Sequence, residues 1–201
     1  MTLRKLYQID SFTRTRFSGN PAGVVLDAQG LDERQMQLVA RELNNSETAF
    51  LLPAKGPDHD VWIRFFTPQA EVPSCGHATV AAHYARALEY GIRQESLVQL
   101  TGAGLMPIRI LEDGADRRVR MTQGPAIFEP PLPGAMAQRI RQALGLSEED
   151  AEPGLPVQIV STGHSKVLVP IRRRAVLDGL APDMPALVDL SREVGSKGYF
   201  V

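Results

Sequence analysis

The chain has 201 residues, 43% of them hydrophobic, and a formal net charge of −1. That length suits one large domain or two small ones. A charge so near zero gives no electrostatic reason to bind nucleic acid or a membrane surface. The single cysteine excludes an intrachain disulfide, and no C-x-x-C or clustered His/Cys spacing points to zinc.

The first elements are short. Leu6 to Ile9 reads as a strand, and the turn-rich Phe17-Ser18-Gly19-Asn20-Pro21 leads into a second, Ala22 to Leu26. Asp32, with Gln35 three residues on, forms a capping box for a helix whose Met36, Val39, Ala40 and Leu43 share one face. Asn44 and Asn45 suit its end. Thr48 to Leu52 and Val61 to Phe66 are apolar strands around a polar loop, Pro53 to Asp60.

The next helix, His77 to Tyr90, differs in kind. Ala78, Val80, Ala81, Ala82, Ala85, Ala87 and Leu88 leave few polar positions, so it should be buried almost all round, with Gly91 at its C′ position. Strands follow at Leu97 to Leu100, Met106 to Leu111 and Val119 to Thr122, with a hairpin signal at Asp113-Gly114. Pro125 to Pro133 is the best boundary. Beyond it come a helix, Ala135 to Leu144, strands Val157 to Val160 and Lys166 to Val169, and a helix, Pro185 to Val194. Gly198 to Val201 reads as an opening strand with an unpaired edge. The basic run Arg172-Arg173-Arg174 is read as a solvated turn rather than a phosphate site. No apolar h-region follows Met1-Thr2-Leu3-Arg4-Lys5 and no apolar run reaches transmembrane length, so a reduced, cytoplasmic setting is expected.

Ser74-Cys75-Gly76-His77-Ala78-Thr79 is the stretch richest in chemistry. Its small residues open the alanine-rich helix with free N–H groups, which is a ready site for an anion. Upstream stands Ser46-Glu47-Thr48. A Glu at a strand start is ordinarily solvated surface, but here an apolar strand would carry Glu47 toward a lobe face.

Taken in order, Phe17-Ser18-Gly19-Asn20-Pro21-Ala22-Gly23-Val24-Val25, Ser46-Glu47-Thr48-Ala49-Phe50, Arg64-Phe65-Phe66-Thr67-Pro68, Glu71-Val72-Pro73 and Cys75-Gly76-His77-Ala78-Thr79 closely resemble the PhzF-like phenazine-biosynthesis family. The resemblance implies an α+β, two-lobed fold of the diaminopimelate epimerase type. Each lobe is a curved, mostly antiparallel sheet around a central helix. It implies a first lobe over 1–124 with central helix 77–90, and a partial second lobe over 125–201. It also implies a cofactor-independent isomerase of a small carboxylate, with Glu47 moving the proton in a cleft between the lobes and no metal at the site.

By the same resemblance Cys75, Gly76, His77 and Ser46 bind substrate. Asn20 is equally well read as a turn former or a ligand. Cys75 has a rival reading as a nucleophile, but a two-thiol racemase needs a second cysteine; a small residue packed at a helix start is the simpler reading. Gly163-His164-Ser165 is better read as a polar turn than as a cleft residue set. His59 is read as an exposed loop residue and His83 as a helix residue, neither with a partner.

The family's D-P-V/A-T-G-N/S-A motif of the second lobe is absent. The second lobe is therefore expected to be incomplete through truncation at the C-terminus, and the activity of the 201 residues alone weak or nil. The alternative function is a family member that only binds a small acid or has no enzymatic role. Relatives are commonly dimeric, which leaves a homodimer open.

Overall fold

The computed structural model describes residues 3–162 and 165–201. Gly163 and His164, named above for the polar turn, lie outside the described residues. The protein divides into two compact units, the first ending at Gln123 and the second spanning Gly124–Val201.

In the first unit, strands β1 (Leu6–Ser11), β2 (Asn20–Val25), β3 (Thr48–Pro53), β4 (Val61–Phe66), β5 (Glu71–Val72), β6 (Glu95–Thr101), β7 (Gly104–Asp113) and β8 (Asp116–Met121) form one sheet. Its order is β1-β2-β3-β4-β6-β7-β8, with the short β5 paired to β4. Pairing is antiparallel except at β2–β3 and β4–β6. Those two parallel pairs need long crossovers, and helices α1 (Glu33–Leu43) and α2 (Gly76–Glu89) supply them.

The two helices take opposite faces of the sheet. Along β3, Ala49 and Leu51 join the α2 side of the core, while Phe50 and Leu52 join Met36 and Ala40 of α1. A strand buried on both faces must read as a continuous apolar run, which is why Thr48 to Leu52 shows no alternation. α1 is fixed at its start by the capping box, with Asp32 Oδ1 accepting the Gln35 N–H at 2.7 Å. It ends on Asn44 in the left-handed region, φ 52°.

α2 is the centre of this unit. Ala78, Ala81, Ala82, Ala85 and Ala87 are almost completely buried. β1, β2, β3, β7 and β8 all pack on it, so the sheet curls round the helix. Methyl-sized side chains permit this, because a larger residue would hold the strands off and force strain on a close-packed core.

The second unit has its own sheet, in the order β12 (Tyr199–Phe200), β11 (Ser165–Leu168), β10 (Gln158–Ser161), β9 (Ile127–Pro131). Helices α3 (Gly134–Ala143) and α5 (Met184–Val194) bury Ala137, Ile140, Leu187 and Leu190 against Ile159 and Val167. A short helix, α4 (Arg174–Asp178), lies between.

Two local expectations change and one holds. The proline-rich boundary contains a strand, β9, at a sheet edge where a proline without an N–H interrupts no ladder. The arginine run is a solvated bend, as expected, and leads into α4 at Arg174; Arg173 meets Asp150 at 3.3 Å and Arg174 meets Asp178 at 3.7 Å, both at the surface. His59 is buried and partnered: it accepts the Lys55 N–H at 2.8 Å and faces Asp58 at 2.6 Å. Its polar loop folds over it, and local composition carries no sign of that. Among the described residues no helix is long and apolar enough to cross a membrane.

His83 is also partnered. It is fully buried on α2, and its Nε2 meets Gln99 Oε1 of β6 at 2.8 Å. Its Nδ1 finds no partner among the described residues. Burial pushes its pKa down to about 4, with the Gln99 hydrogen bond opposing it. The unfolded protein takes up this proton near pH 6.5, and the folded protein only near pH 4. Stability is therefore expected to fall as pH drops from about 6.5 to about 4, by up to about 3 kcal/mol from this group. Urea unfolding at pH 7 and pH 5 checks this, and His83→Gln should flatten the difference by one proton.

Candidate active site

The site assembles where β3 begins and α2 begins. Ser46 and Glu47 immediately precede Thr48, the first residue of β3, and the Gly23 N–H of β2 holds the Glu47 carbonyl at 3.1 Å. This close approach requires a glycine, since a Cβ on Gly23 would come within 2.7 Å of Thr48 Oγ1 and 2.8 Å of Leu43 Cδ1. On α2, Cys75 is the N-cap residue and Gly76 the first helical residue, one earlier than the periodicity suggests. Ser11 of β1 ties the helix start down by donating to the His77 carbonyl at 2.7 Å.

His77 is the hub. Its Nε2 lies 3.4 Å from Glu47 Oε2 and 3.2 Å from Ser46 Oγ. Its Nδ1 lies 3.3 Å from Cys75 Sγ. The His77 side chain is 10% exposed and that of Glu47 22%, so the pair is recessed but reachable from solvent. Burial pushes the His77 pKa down; the Glu47 charge and the Pro21 backbone oppose this. A neutral ring with its proton on Nε2 satisfies all three contacts, donating toward Glu47 and Ser46 and accepting from the Cys75 thiol.

Cys75 is a protonated thiol. Burial, joined by the Glu47 charge, pushes its pKa up to about 12. The N–H groups of Ala78 and His77 pull the other way, yet no side-chain hydrogen bond closes the cap. The free amides of the first turn thus remain available to an anion. A nucleophilic thiolate is the wrong state for this environment.

Ser46, Glu47, Cys75, Gly76 and His77 therefore come together. Asn20 is exposed on β2, and its side chain makes no hydrogen bond among the described residues. Its neighbour Pro21 makes the backbone contact with the His77 ring. Sequence reasoning missed Ser11, which carries no motif and reaches the helix start only through the β1–β2 pairing, Ser11 opposite Asn20. It also missed Met121 at the end of β8, which lies over the bare face of Gly76.

The phenazine biosynthesis-like (PhzC-PhzF) family profile matches residues 9–199. The chain belongs to this family. It is 46% identical over 196 residues to an uncharacterized isomerase of Clostridium acetobutylicum and 48% to the uncharacterized isomerase YddE of Escherichia coli K12. Each alignment covers 98% of the chain and 65% of the relative. The chain thus spans just under two thirds of the length of these curated relatives.

Among solved structures, a predicted epimerase of Pseudomonas aeruginosa superposes with a TM-score of 0.87 at 27% identity, over 98% of this chain and 69% of that one. A PhzF-family phenazine biosynthesis protein of Bacillus anthracis gives 0.81 at 33% identity, over 94% and 62%. A hydroxyproline epimerase of Agrobacterium vitis, at 18% identity and a TM-score of 0.52 over 83% and 51%, shares the fold. The α+β, epimerase-like architecture expected from the motifs is the one observed.

The thiol's state is directly measurable. With a pKa near 12, Cys75 should react with iodoacetamide at pH 7 at least about a hundredfold more slowly than a free cysteine. Glu47→Gln removes a charge that opposes the thiolate and should speed labelling, read by mass spectrometry of the intact protein.

Proposed function

We propose that this protein carries the proton-transfer centre of a cofactor-independent isomerase acting on a small carboxylate. The observation that carries the reading is the convergence of Glu47 and His77 beside the free N–H groups of α2, with 3.4 Å between Oε2 and Nε2.

The steps follow from the chemistry of each group. The substrate carboxylate docks on the first-turn amides of α2, where the helix dipole favours negative charge. Glu47 takes a proton from a carbon of the bound acid, and the electron pair left behind delocalises toward the docked carboxylate. The amides, with the His77 N–H beside Glu47, stabilise that developing charge. Glu47, now a carboxylic acid, returns the proton to a different carbon on the same face of the delocalised anion. Donor and acceptor are one carboxylate, so the step balances without an oxidant or reductant. The family's relatives named isomerases and epimerase support the reaction class.

A second reading, binding of a small acid without turnover, rests on the open helix start alone: no side chain caps α2, and its first-turn amides hold an anion whether or not a proton then moves.

Gly76 separates the needs of the fold from those of the site. A Cβ there would meet Met121 Sδ at 3.9 Å, an ordinary contact, and the backbone requires no left-handed conformation. Packing does not demand this glycine, whereas a ligand lying against the amides would. Gly76→Ala is expected to leave stability within about 1 kcal/mol, since alanine is the better helix former. It should weaken binding of the carboxylate, read as a raised dissociation constant by calorimetry against a panel of small carboxylates.

The reaction itself is tested in deuterated water. The purified protein should exchange a carbon-bound hydrogen of a substrate carboxylate, followed by NMR, and Glu47→Gln should slow this by roughly a hundredfold or more. Equal exchange in both proteins would remove Glu47 from the mechanism. Binding with no exchange in the unaltered protein would favour the second reading.

A further inference from the structure

Three side chains of different ligand type meet at this site: the Glu47 carboxylate, the Cys75 thiol and the His77 imidazole. One ligand atom from each lies within 4.8 Å of the others. We infer that these residues form a three-ligand site for a soft divalent cation, zinc fitting best, and that the bound ion shuts off proton transfer by Glu47; the second half rests on the function proposed above.

The donor set is the first argument. One sulfur, one imidazole nitrogen and one carboxylate oxygen match zinc, whereas magnesium and calcium take oxygen almost throughout. Geometry is the second. Zinc bonds of about 2.0–2.3 Å at tetrahedral angles place donor atoms roughly 3.3–3.6 Å apart. Each flanking ligand sits at that spacing from its own nitrogen of His77, Sγ 3.3 Å from Nδ1 and Oε2 3.4 Å from Nε2, and one ligand atom from each residue lies within 4.8 Å of the others. His77 can offer only one nitrogen to the ion, so one flanking side chain must swing by an ångström or so, and Glu47 has the rotatable bonds to do it. Access is the third argument: the Glu47 side chain is partly exposed, so an ion can reach the cluster from solvent.

Binding replaces the thiol proton. The ion takes Cys75 as thiolate and one proton passes to solvent. A Glu47 carboxylate held by the ion can no longer accept a proton from carbon. The sequence carries no zinc spacing because the ligands come from two distant segments, Glu47 against Cys75 and His77, joined only by the packing of β3 on α2.

The single cysteine makes the test specific. Cobalt(II) chloride added to the purified protein should produce a thiolate-to-cobalt charge-transfer band in the near ultraviolet, which only Cys75 can supply. Zinc chloride should displace the cobalt at one equivalent. His77→Ala and Glu47→Gln, each checked by far-UV dichroism against the unaltered protein, should weaken cobalt binding about tenfold or more, whereas His59→Gln should not. No band at saturating cobalt overturns the inference. So does a band whose midpoint is unmoved in both His77→Ala and Glu47→Gln, since the thiol would then bind metal alone. Zinc at one equivalent should also suppress deuterium exchange. If exchange is never seen without metal, the isomerase reading fails while the cobalt band still decides the metal site.

Discussion

Everything in the first unit depends on a helix made of methyl groups. α2 runs inside a curled sheet, and that is sterically feasible only because its inward positions are alanines. The consequence for function is positional. The strands enclose most of α2 and leave a stripe of Val80, Tyr84 and Leu88 toward solvent, so the helix is held firmly enough to deliver the orphan N–H groups of its first turn to one place. Strand β3, packed on the same helix, delivers Ser46 and Glu47 to that place. Burial of the helix and assembly of the site are one event.

The polar groups that stay inside α2's surroundings show the cost of such enclosure. His83 and Gln99 pair across α2 and β6, and Gln99 also approaches Thr79 Oγ1 at 3.4 Å on the first turns of the helix. A buried imidazole in this position must remain neutral, because charging it would forfeit solvation that a single amide cannot replace. The run of contacts from His83 to Thr79 fixes the roll of α2 about its axis. It therefore bears on where His77, two residues before Thr79, points its ring.

Much of this was legible in the sequence, for identifiable reasons. Period and composition marked α1 by its capping box and α2 by its alanines, since both are local properties of a helix. β3 was legible as an apolar run because a strand buried on both faces has no polar side to show. The ordered motifs singled out Glu47, Cys75, Gly76 and His77, and the fold brings these residues together. What stayed hidden was non-local. His59 sits in a polar loop whose burial arises from tertiary folding. β9 is proline-rich and becomes a strand only by pairing at a sheet edge. Ser11 and Met121 reach the helix start through strand register, which no single-sequence pattern encodes. The three-ligand cluster was invisible for the same reason.

The state of Cys75 is where two general rules collide, and magnitudes decide between them. A helix N-terminus favours an anion by about 0.3–1 kcal/mol in ordinary settings, which alone would make a thiol at the N-cap more acidic. Burial next to a carboxylate works against it: the rise from 9.0 to about 12 corresponds to roughly 4 kcal/mol in favour of the neutral thiol. The dipole loses because it is weaker than desolvation and like-charge repulsion together. The amides are thus not consumed by a thiolate, and the first turn keeps its capacity for an anion from outside. A protonated Cys75 and an anion-ready helix are the same electrostatic fact seen from two atoms.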